Sequence, residues 1–272
     1  MPELPEIRNL AVQMADELNG RKITEVEVRQ EKCINVPVTD FLRLVTGKTI
    51  GETTSHGKWL FVPLDADALF LLNLGMGAEV VFHRSGDQLP EKYQLKLDFE
   101  NGDCLTIAFW WFGYAHVVPT DERSGHPMTA CLGLDPLDDE FSYDAFSSLL
   151  NSKKCGIKAL LMDQKNIAGI GNVYIQDILF RAGLHPSRKT SDISEEERRV
   201  LHQVIVENLR AATALGGFTY ERDLYGKEGQ FKDFLVGYRA GEPCPKCKTT
   251  ITKIKQAGTA SYICPQCQHI HI

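Results

Sequence analysis

One apolar stripe with helical spacing follows the first few residues of the chain. Its positions keep the i, i+3, i+4 pattern of a single helix face, and Gly20 supplies a stop signal. The stripe consists of Ile7, Leu10, Ala11, Met14 and Leu18. This pattern predicts an amphipathic helix close to the N-terminus.

From about residue 23 to residue 118 the pattern changes to a period of two and to short apolar runs, both typical of β-strands. Asn101-Gly102, between the last two runs, is a strong hairpin signal. The runs are ITEVEVRQ, KWLFVPL, ALFLLNL, AEVVFH, YQLKLDF and CLTIAFWWF. We therefore predict a β-sandwich or barrel behind one helix.

Helical periodicity returns after residues 120–140, which are rich in turn-forming residues and predict a linker. Ser194 and Glu197 form a capping box that opens a long helix, and Gly216-Gly217 closes it. Residues 218–242 show no clear period. Three further helices are predicted around YDAFSSLL, GIKALLMDQ and NVYIQDILFRAG. The predicted fold class is α+β, with domains at residues 1–130, 131–240 and 241–272.

The composition is that of a globular protein, with 43% hydrophobic and 24% charged residues among 272. No apolar run approaches the ~20 residues that cross a bilayer, and the N-terminus lacks a signal-peptide pattern. We therefore expect an unanchored cytoplasmic protein. The net charge of −6 divides into −12 for residues 1–150 and +6 for residues 151–272. A polyanion would accordingly be held mainly by the C-terminal half.

Four of the eight cysteines form two CxxC pairs near the C-terminus, at Cys244, Cys247, Cys264 and Cys267. Four thiolates at this spacing close a tetrahedral shell around one Zn²⁺ and leave no open position for water. The residues between the pairs predict a hairpin that brings the pairs together. We expect a structural zinc ion, which by itself does not define the chemistry of the protein.

Pro2 lies behind a removable initiator methionine, and its exposure would create a secondary amine at the N-terminus. An α-amino group has a pKa near ~8, so a useful fraction is unprotonated and nucleophilic at neutral pH. Glu3 beside it can serve as a general acid or proton shuttle. From these two residues alone, a simple lead-in to the first helix is the alternative interpretation.

Several motifs in their order along the chain resemble the formamidopyrimidine-DNA glycosylase/endonuclease VIII family. The N-terminal MPELPE, the IAGIGN turn and the four-cysteine ribbon are the most specific of them. The remaining motifs are SHGKWLF, NLGMG, FWWFG and the long run MDQKNIAGIGNVYIQDILFRAGLHP. The resemblance spans the whole chain. It implies an N-terminal β-sandwich, a helix-two-turn-helix domain and a zinc ribbon, with damaged double-stranded DNA bound by a monomer.

The resemblance also implies the reaction. Pro2 would displace a damaged base and become joined to C1′ of the deoxyribose, and Glu3 would protonate the sugar oxygen or manage later proton transfers. Glu6 would help to orient the sugar or base. Lys58 would assist elimination and hold the neighbouring phosphate. The expected activity is excision of oxidised or ring-opened bases followed by β,δ-elimination.

Further residues are implied in DNA binding. Met76 and Phe112 match the wedge that fills the gap left by the everted nucleotide, and Trp110 replaces an arginine of the family at that wedge. In the helix-two-turn-helix, Gly169 and Gly171 permit a close backbone approach to phosphate. The other implied DNA contacts come from Asn73, Lys158 and Asn172.

Thr259 stands where the family has an arginine that clamps the phosphates around the lesion. Together with Trp110, it leaves a second interpretation open, namely a catalytically narrowed or inactive paralogue that binds damaged DNA or abasic sites. Residues 218–234 align with a loop that closes over an oxidised purine in some members. A mobile cap and a surface loop without such a role are both compatible with its composition.

Overall fold

A computed structural model describes residues 1–269, so residues 270–272 of the predicted ribbon segment lie outside the described part of the chain. Contacts group residues 1–131 and 215–231 into a first compact unit, and residues 132–214 and 232 onward into a second. The first unit is therefore discontinuous in sequence. No helix within residues 1–269 is long and apolar enough to span a membrane.

The first unit contains two antiparallel four-stranded sheets, in the orders β1-β6-β7-β5 and β2-β3-β4-β8. The strands are β1 (Ile23–Val28), β2 (Thr54–His56), β3 (Trp59–Leu64), β4 (Ala68–Asn73), β5 (Glu79–His83), β6 (Leu95–Phe99), β7 (Cys104–Ala108) and β8 (Tyr114–Pro119). Side chains from both sheets share one apolar core. The predicted sandwich is confirmed, and β6 and β7 are joined by the hairpin at Asn101-Gly102, where Gly102 has φ +84°.

Helix α1 (Leu4–Leu18) covers this core with the predicted stripe. All five positions of the stripe are at most 4% exposed. Pro5 lies in the first turn, where a missing N–H removes no intrahelical hydrogen bond. Burial of this stripe fixes the start of α1 against the sheets.

Two elements of the first unit differ from the prediction. Helix α2 (Val38–Val45) lies within the region that the pattern assigned to strands. Its two fully buried residues, Phe41 and Val45, are one helical turn apart, so a helix places both on one buried face. The last predicted strand ends at Ala108 instead of continuing through FWWF. There the Gln94 side chain receives the Phe109 N–H at 2.6 Å and donates to the Phe109 carbonyl at 3.1 Å, replacing a strand partner.

The second unit begins with four helices, α3 (Tyr143–Ser152), α4 (Ile157–Met162), α5 (Ile175–Arg181) and α6 (Glu195–Ala214). The predicted capping box is present, since the Ser194 N–H donates to Glu197 at 2.8 Å and the Glu197 N–H donates to the Ser194 hydroxyl at 3.3 Å. The four helices predicted after residue 140 are all confirmed.

The C-terminal ribbon of the second unit is a two-stranded antiparallel hairpin of β9 (Thr252–Gln256) and β10 (Thr259–Ile263). Phe180 of α5 and Ile251 pack with Cys244 and Cys264 in a small apolar cluster. Three N–H groups at residues 235–237 donate to the buried Asp177 carboxylate at 2.6–3.0 Å. The apolar cluster joins the ribbon to α5, and the Asp177 hydrogen bonds join the segment just before the ribbon to the same helix.

Candidate functional site

A buried acidic cluster forms at the start of α1, directly behind Pro2. Glu3 is the N-cap residue and forms a reciprocal capping box with Glu6, whose carboxylate receives the Glu3 N–H at 2.7 Å. Pro2 is buried, Glu3 is 2% exposed and Glu6 is 7% exposed. Buried carboxylates are uncommon unless they are hydrogen-bonded, and here the helix terminus supplies the donors. The structure thus brings three predicted site residues together in a water-poor environment.

The segment of residues 215–231 completes this cluster, although it is more than 200 residues away in sequence. The second oxygen of Glu6 receives the Phe218 N–H at 2.8 Å. Gly217 lies against Glu6 so closely that a Cβ atom there would be 2.4 Å from its Oε1. Gln13 of α1 adds two further bonds, one to Asp223 and one from the Leu224 N–H, both at 2.9 Å. No periodicity in the sequence indicated this docking.

The amine of Met1 is bonded to the same segment. It donates to Glu221 Oε1 at 2.8 Å, and the Glu221 side chain is 11% exposed. Sequence reasoning did not single out Glu221. An N-terminal amine next to a half-buried carboxylate is held in a defined position beside the acidic cluster.

Lys58 and Asn73 come together at the turn between β2 and β3. Lys58 follows Gly57, which has φ +59°, and the two residues form the turn that joins β2 to β3. The Asn73 amide donates to the Lys58 carbonyl at 3.0 Å, and its oxygen receives the Gly75 N–H at 3.2 Å. Asn73 therefore fixes the backbone of the lysine turn to the loop that carries Met76.

Met76, Trp110 and Phe112 lie on two neighbouring loops and are 42%, 79% and 62% exposed. The Trp111 N–H donates to the Met76 carbonyl at 3.4 Å, which connects the loops. A Cβ atom at Gly77 would be 2.8 Å from the Trp110 ring, so this close packing requires glycine. Large apolar side chains at such exposure are unusual for a monomer surface and are typical of a binding surface.

Asn172 lies three residues before α5, in the turn that contains Gly169, whose φ is +104°. Its Oδ1 accepts hydrogen bonds from Gln176 and from the Thr259 hydroxyl, both at 3.0 Å. With its oxygen occupied on the protein side, the amide NH₂ of this half-buried residue is the group left to face an anion.

Lys158 is fully buried within the second unit. Its ammonium donates to Thr259 Oγ1 at 2.8 Å, to the Ala260 carbonyl at 2.7 Å and to Ser261 Oγ at 2.8 Å, and burial lowers its pKa to about 8. A direct DNA contact requires an exposed ammonium, and this one is directed into the ribbon hairpin instead.

The four ribbon cysteines converge on one point, with all sulfur atoms within 4.8 Å of one another. Individual Sγ–Sγ distances of 3.4, 3.5 and 3.9 Å surround the ~3.8 Å edge of a tetrahedron whose Zn–S bonds are about 2.3 Å. Cys244 and Cys264 are buried, so the shell excludes solvent on that side. The donor set fits a structural zinc ion, as predicted.

Comparison with known proteins covers all three parts of the chain. Family models match at residues 1–109 (formamidopyrimidine-DNA glycosylase N-terminal domain), 132–223 (formamidopyrimidine-DNA glycosylase H2TH domain) and 241–270 (zinc finger found in FPG and IleRS). The order is that of a DNA glycosylase with a helix-two-turn-helix and a zinc finger.

Individual relatives match over nearly the full length. The formamidopyrimidine-DNA glycosylase of Desulfitobacterium hafniense is 32% identical over 98% of this chain and 100% of its own, and that of Chloroflexus aurantiacus is 33% identical over 98% of both. The structure resembles Lactococcus lactis Fpg in complex with abasic-site DNA, with a TM-score of 0.91 at 28% identity, covering 98% of this chain and 100% of the other. The chain belongs to the formamidopyrimidine-DNA glycosylase family.

Proposed function

We propose that this protein is a bifunctional DNA glycosylase and AP lyase that excises oxidised or ring-opened bases and then cleaves the strand by β,δ-elimination. The observation that carries the proposal is the buried Pro2-Glu3-Glu6 start of α1 in a chain that matches the family over 98% of its length. The helix start places carboxylates directly behind the residue whose nitrogen becomes nucleophilic once Met1 is removed.

In the proposed reaction the Pro2 nitrogen attacks C1′, forming the N–C1′ bond as the glycosidic bond breaks and the base leaves. Protonation of the sugar ring oxygen by Glu3 opens the ring and gives an iminium joined to the enzyme. Loss of a C2′ proton then expels the 3′ phosphate, and loss of the C4′ proton in a second elimination expels the 5′ phosphate. Glu6, held by the N–H groups of Glu3 and Phe218, orients this part of the site.

Lys58 is proposed to assist elimination and hold the phosphate beside the lesion, with Asn73 supporting its turn. The exposed Met76, Trp110 and Phe112 side chains are proposed to fill the space left by the everted nucleotide. An aromatic ring at position 110 stacks but does not donate an arginine's hydrogen bonds, so weak discrimination of the opposite base is expected.

Damaged double-stranded DNA is the proposed partner, and the Asn172 amide is a proposed phosphate contact. Lactococcus lactis Fpg, which this structure resembles, has been crystallised with DNA that contains an abasic site. We also propose that the protein acts as a monomer in the bacterial cytosol, since its relatives come from bacteria and the bacterial chromosome lies there.

Borohydride trapping tests the proposal directly. Protein whose intact mass shows loss of Met1 is incubated with duplex DNA containing an abasic site and then reduced. A covalent protein-DNA adduct is expected. Protein with an uncleaved N-terminal tag is expected to give none, and Pro2→Gly is expected to react more slowly. Absence of an adduct with Met1-free protein, together with specific binding, would instead support the non-cleaving paralogue.

A further inference from the structure

Lys158 is an unusual buried cation, because all three of its hydrogen-bond partners are neutral oxygen atoms of the β10 strand. Among residues 1–269, no carboxylate forms an ion pair with it. A buried charge without a counter-ion destabilises a protein unless something of opposite charge offsets it. The positive charge of Lys158 therefore favours an anion close to the surface above it.

A continuous chain of hydrogen bonds connects this charge to the surface. The Lys158 ammonium donates to the Thr259 hydroxyl at 2.8 Å, and that hydroxyl in turn donates to Asn172 Oδ1 at 3.0 Å. Hydrogen bonds in series polarise one another, so the ammonium strengthens the Thr259–Asn172 bond. Withdrawal of electron density from the amide oxygen makes the N–H groups of Asn172 better donors to an anion.

Gln176 keeps the Asn172 amide from turning over. Its Nε2 donates both to Asn172 Oδ1 at 3.0 Å and to the Asn172 carbonyl at 2.9 Å, while its Oε1 receives the Tyr262 N–H of β10 at 2.9 Å. Rotation of the Asn172 amide by 180° would place its NH₂ against the donors of Gln176 and Thr259. Gln176 of α5 and Thr259 of the ribbon therefore fix the orientation of the Asn172 amide, with its NH₂ turned away from both donors.

We propose that Lys158 and Thr259 are positioning residues for the DNA phosphate site at Asn172, with the buried ammonium of Lys158 supplying the positive charge through the Thr259 hydroxyl. Thr259 stands where the resemblance expects an arginine, and this relay accounts for how the site holds phosphate without that arginine's charge. The inference rests on the proposed DNA-binding function, but not on the covalent chemistry of Pro2.

The experiment measures the Kd for a duplex that contains a tetrahydrofuran abasic analogue, which does not react with an amine. Thr259→Val removes the hydroxyl at nearly constant volume, and Thr259→Ser retains it. We expect Thr259→Val to weaken binding about tenfold and Thr259→Ser to remain within about twofold of the parent protein. Thr252→Val, an exposed threonine of the same hairpin, is the matched control and is expected to have no effect.

A double-mutant cycle then shows whether Thr259 acts through Asn172. Asn172→Ala and the Thr259→Val/Asn172→Ala double variant are expected to bind equally weakly, because the second substitution removes a bond whose acceptor is already absent. Additive losses would overturn the relay, as would unchanged binding by Thr259→Val. Failure of wild-type protein to bind this duplex at all would count against the proposed function itself.

Lys158→Met provides an independent arm. Retention of one zinc ion per chain shows that the variant is folded. Lys158→Met is then expected to weaken binding about tenfold when position 259 is the parent threonine, and less than twofold when it is combined with Thr259→Val. Equal losses in both backgrounds would show that Lys158 acts by another route and would overturn the proposal. If Lys158→Met does not fold, the Thr259 and Asn172 variants decide the question.

Discussion

Gly217 packs so closely against Glu6 that even a methyl side chain at this position would disturb the acidic cluster. Substitution to alanine places a Cβ atom 2.4 Å from Glu6 Oε1, 2.6 Å from its Cγ and 2.8 Å from its Cδ. Glu6 has little freedom to move away, because its carboxylate is buried and holds the N–H groups of Glu3 and Phe218. The expected effect of Gly217→Ala is loss of one or both of these bonds.

Gly216 provides a control with matched backbone strain. Both glycines have positive φ, +70° for Gly216 and +87° for Gly217, and a side chain in this region costs about 1–2 kcal/mol. A Cβ atom at Gly216 has its nearest neighbours at 3.9 and 4.0 Å, which is ordinary contact. Gly216→Ala should therefore destabilise the protein by about 1–2 kcal/mol through strain alone.

For Gly217→Ala, displacement of Glu6 adds about 2–4 kcal/mol, since a hydrogen bond to a charged group contributes ~1.5–3 kcal/mol. Urea denaturation measures the free energy of unfolding, and single-turnover excision of an oxidised base measures the function of the cluster. We expect both to fall much further in Gly217→Ala than in Gly216→Ala. Equal losses in the two variants would refute a specific role for the Gly217–Glu6 contact.

Three other predictions concern separate parts of the molecule. Removal of zinc by a chelator, or Cys244→Ser, should unfold the β9–β10 hairpin and abolish DNA binding; binding that persists in metal-free protein, with metal content measured directly, would contradict this. Trp110→Ala should weaken duplex binding by about 1–3 kcal/mol, and Trp110→Arg should introduce a dependence on the opposite base, as measured with four duplexes. Burial beside His126 lowers the pKa of His116 to about 4, so the contribution of this residue to stability is fully present above pH 6.5 and falls as the pH decreases toward 4, because the unfolded chain binds the proton first. His116→Asn should remove about 2–3 kcal/mol of this pH dependence in denaturation measurements, whereas an unchanged profile would assign it to other groups.

Local patterns in the sequence predicted most of the architecture. The stripe on α1, the capping box at Ser194 and the four cysteines each depend on residues a few positions apart, so their physical causes are visible without a structure. Helix α2 was missed because it is only eight residues long and buries just Phe41 and Val45, too few positions to outweigh the strand-rich surroundings. Tertiary context decides such short elements.

The contacts that build the site depend on residues far apart in sequence. Nothing near Glu6 indicates that the Phe218 N–H donates to it, and nothing near Lys158 indicates that the Thr259 hydroxyl accepts a hydrogen bond from its ammonium. The resemblance suggested that Lys158 contacts DNA, but it does not reveal that the Lys158 side chain is buried against the ribbon hairpin. The exposure of Trp110, by contrast, agrees with the proposed wedge and could not be separated from a core position by the sequence pattern alone.

The docking of residues 215–231 onto α1 has a consequence for biosynthesis. A ribosome synthesises the chain from its N-terminus. Glu6 is therefore made early, but its partner Phe218 follows only after about four-fifths of the protein has been synthesised. The nascent N-terminal half can collapse around its sheets but has an incomplete acidic cluster. A fragment truncated at residue 131 should consequently expose the amine of Pro2 as the full chain does, but without the Phe218 N–H that holds Glu6 beside it.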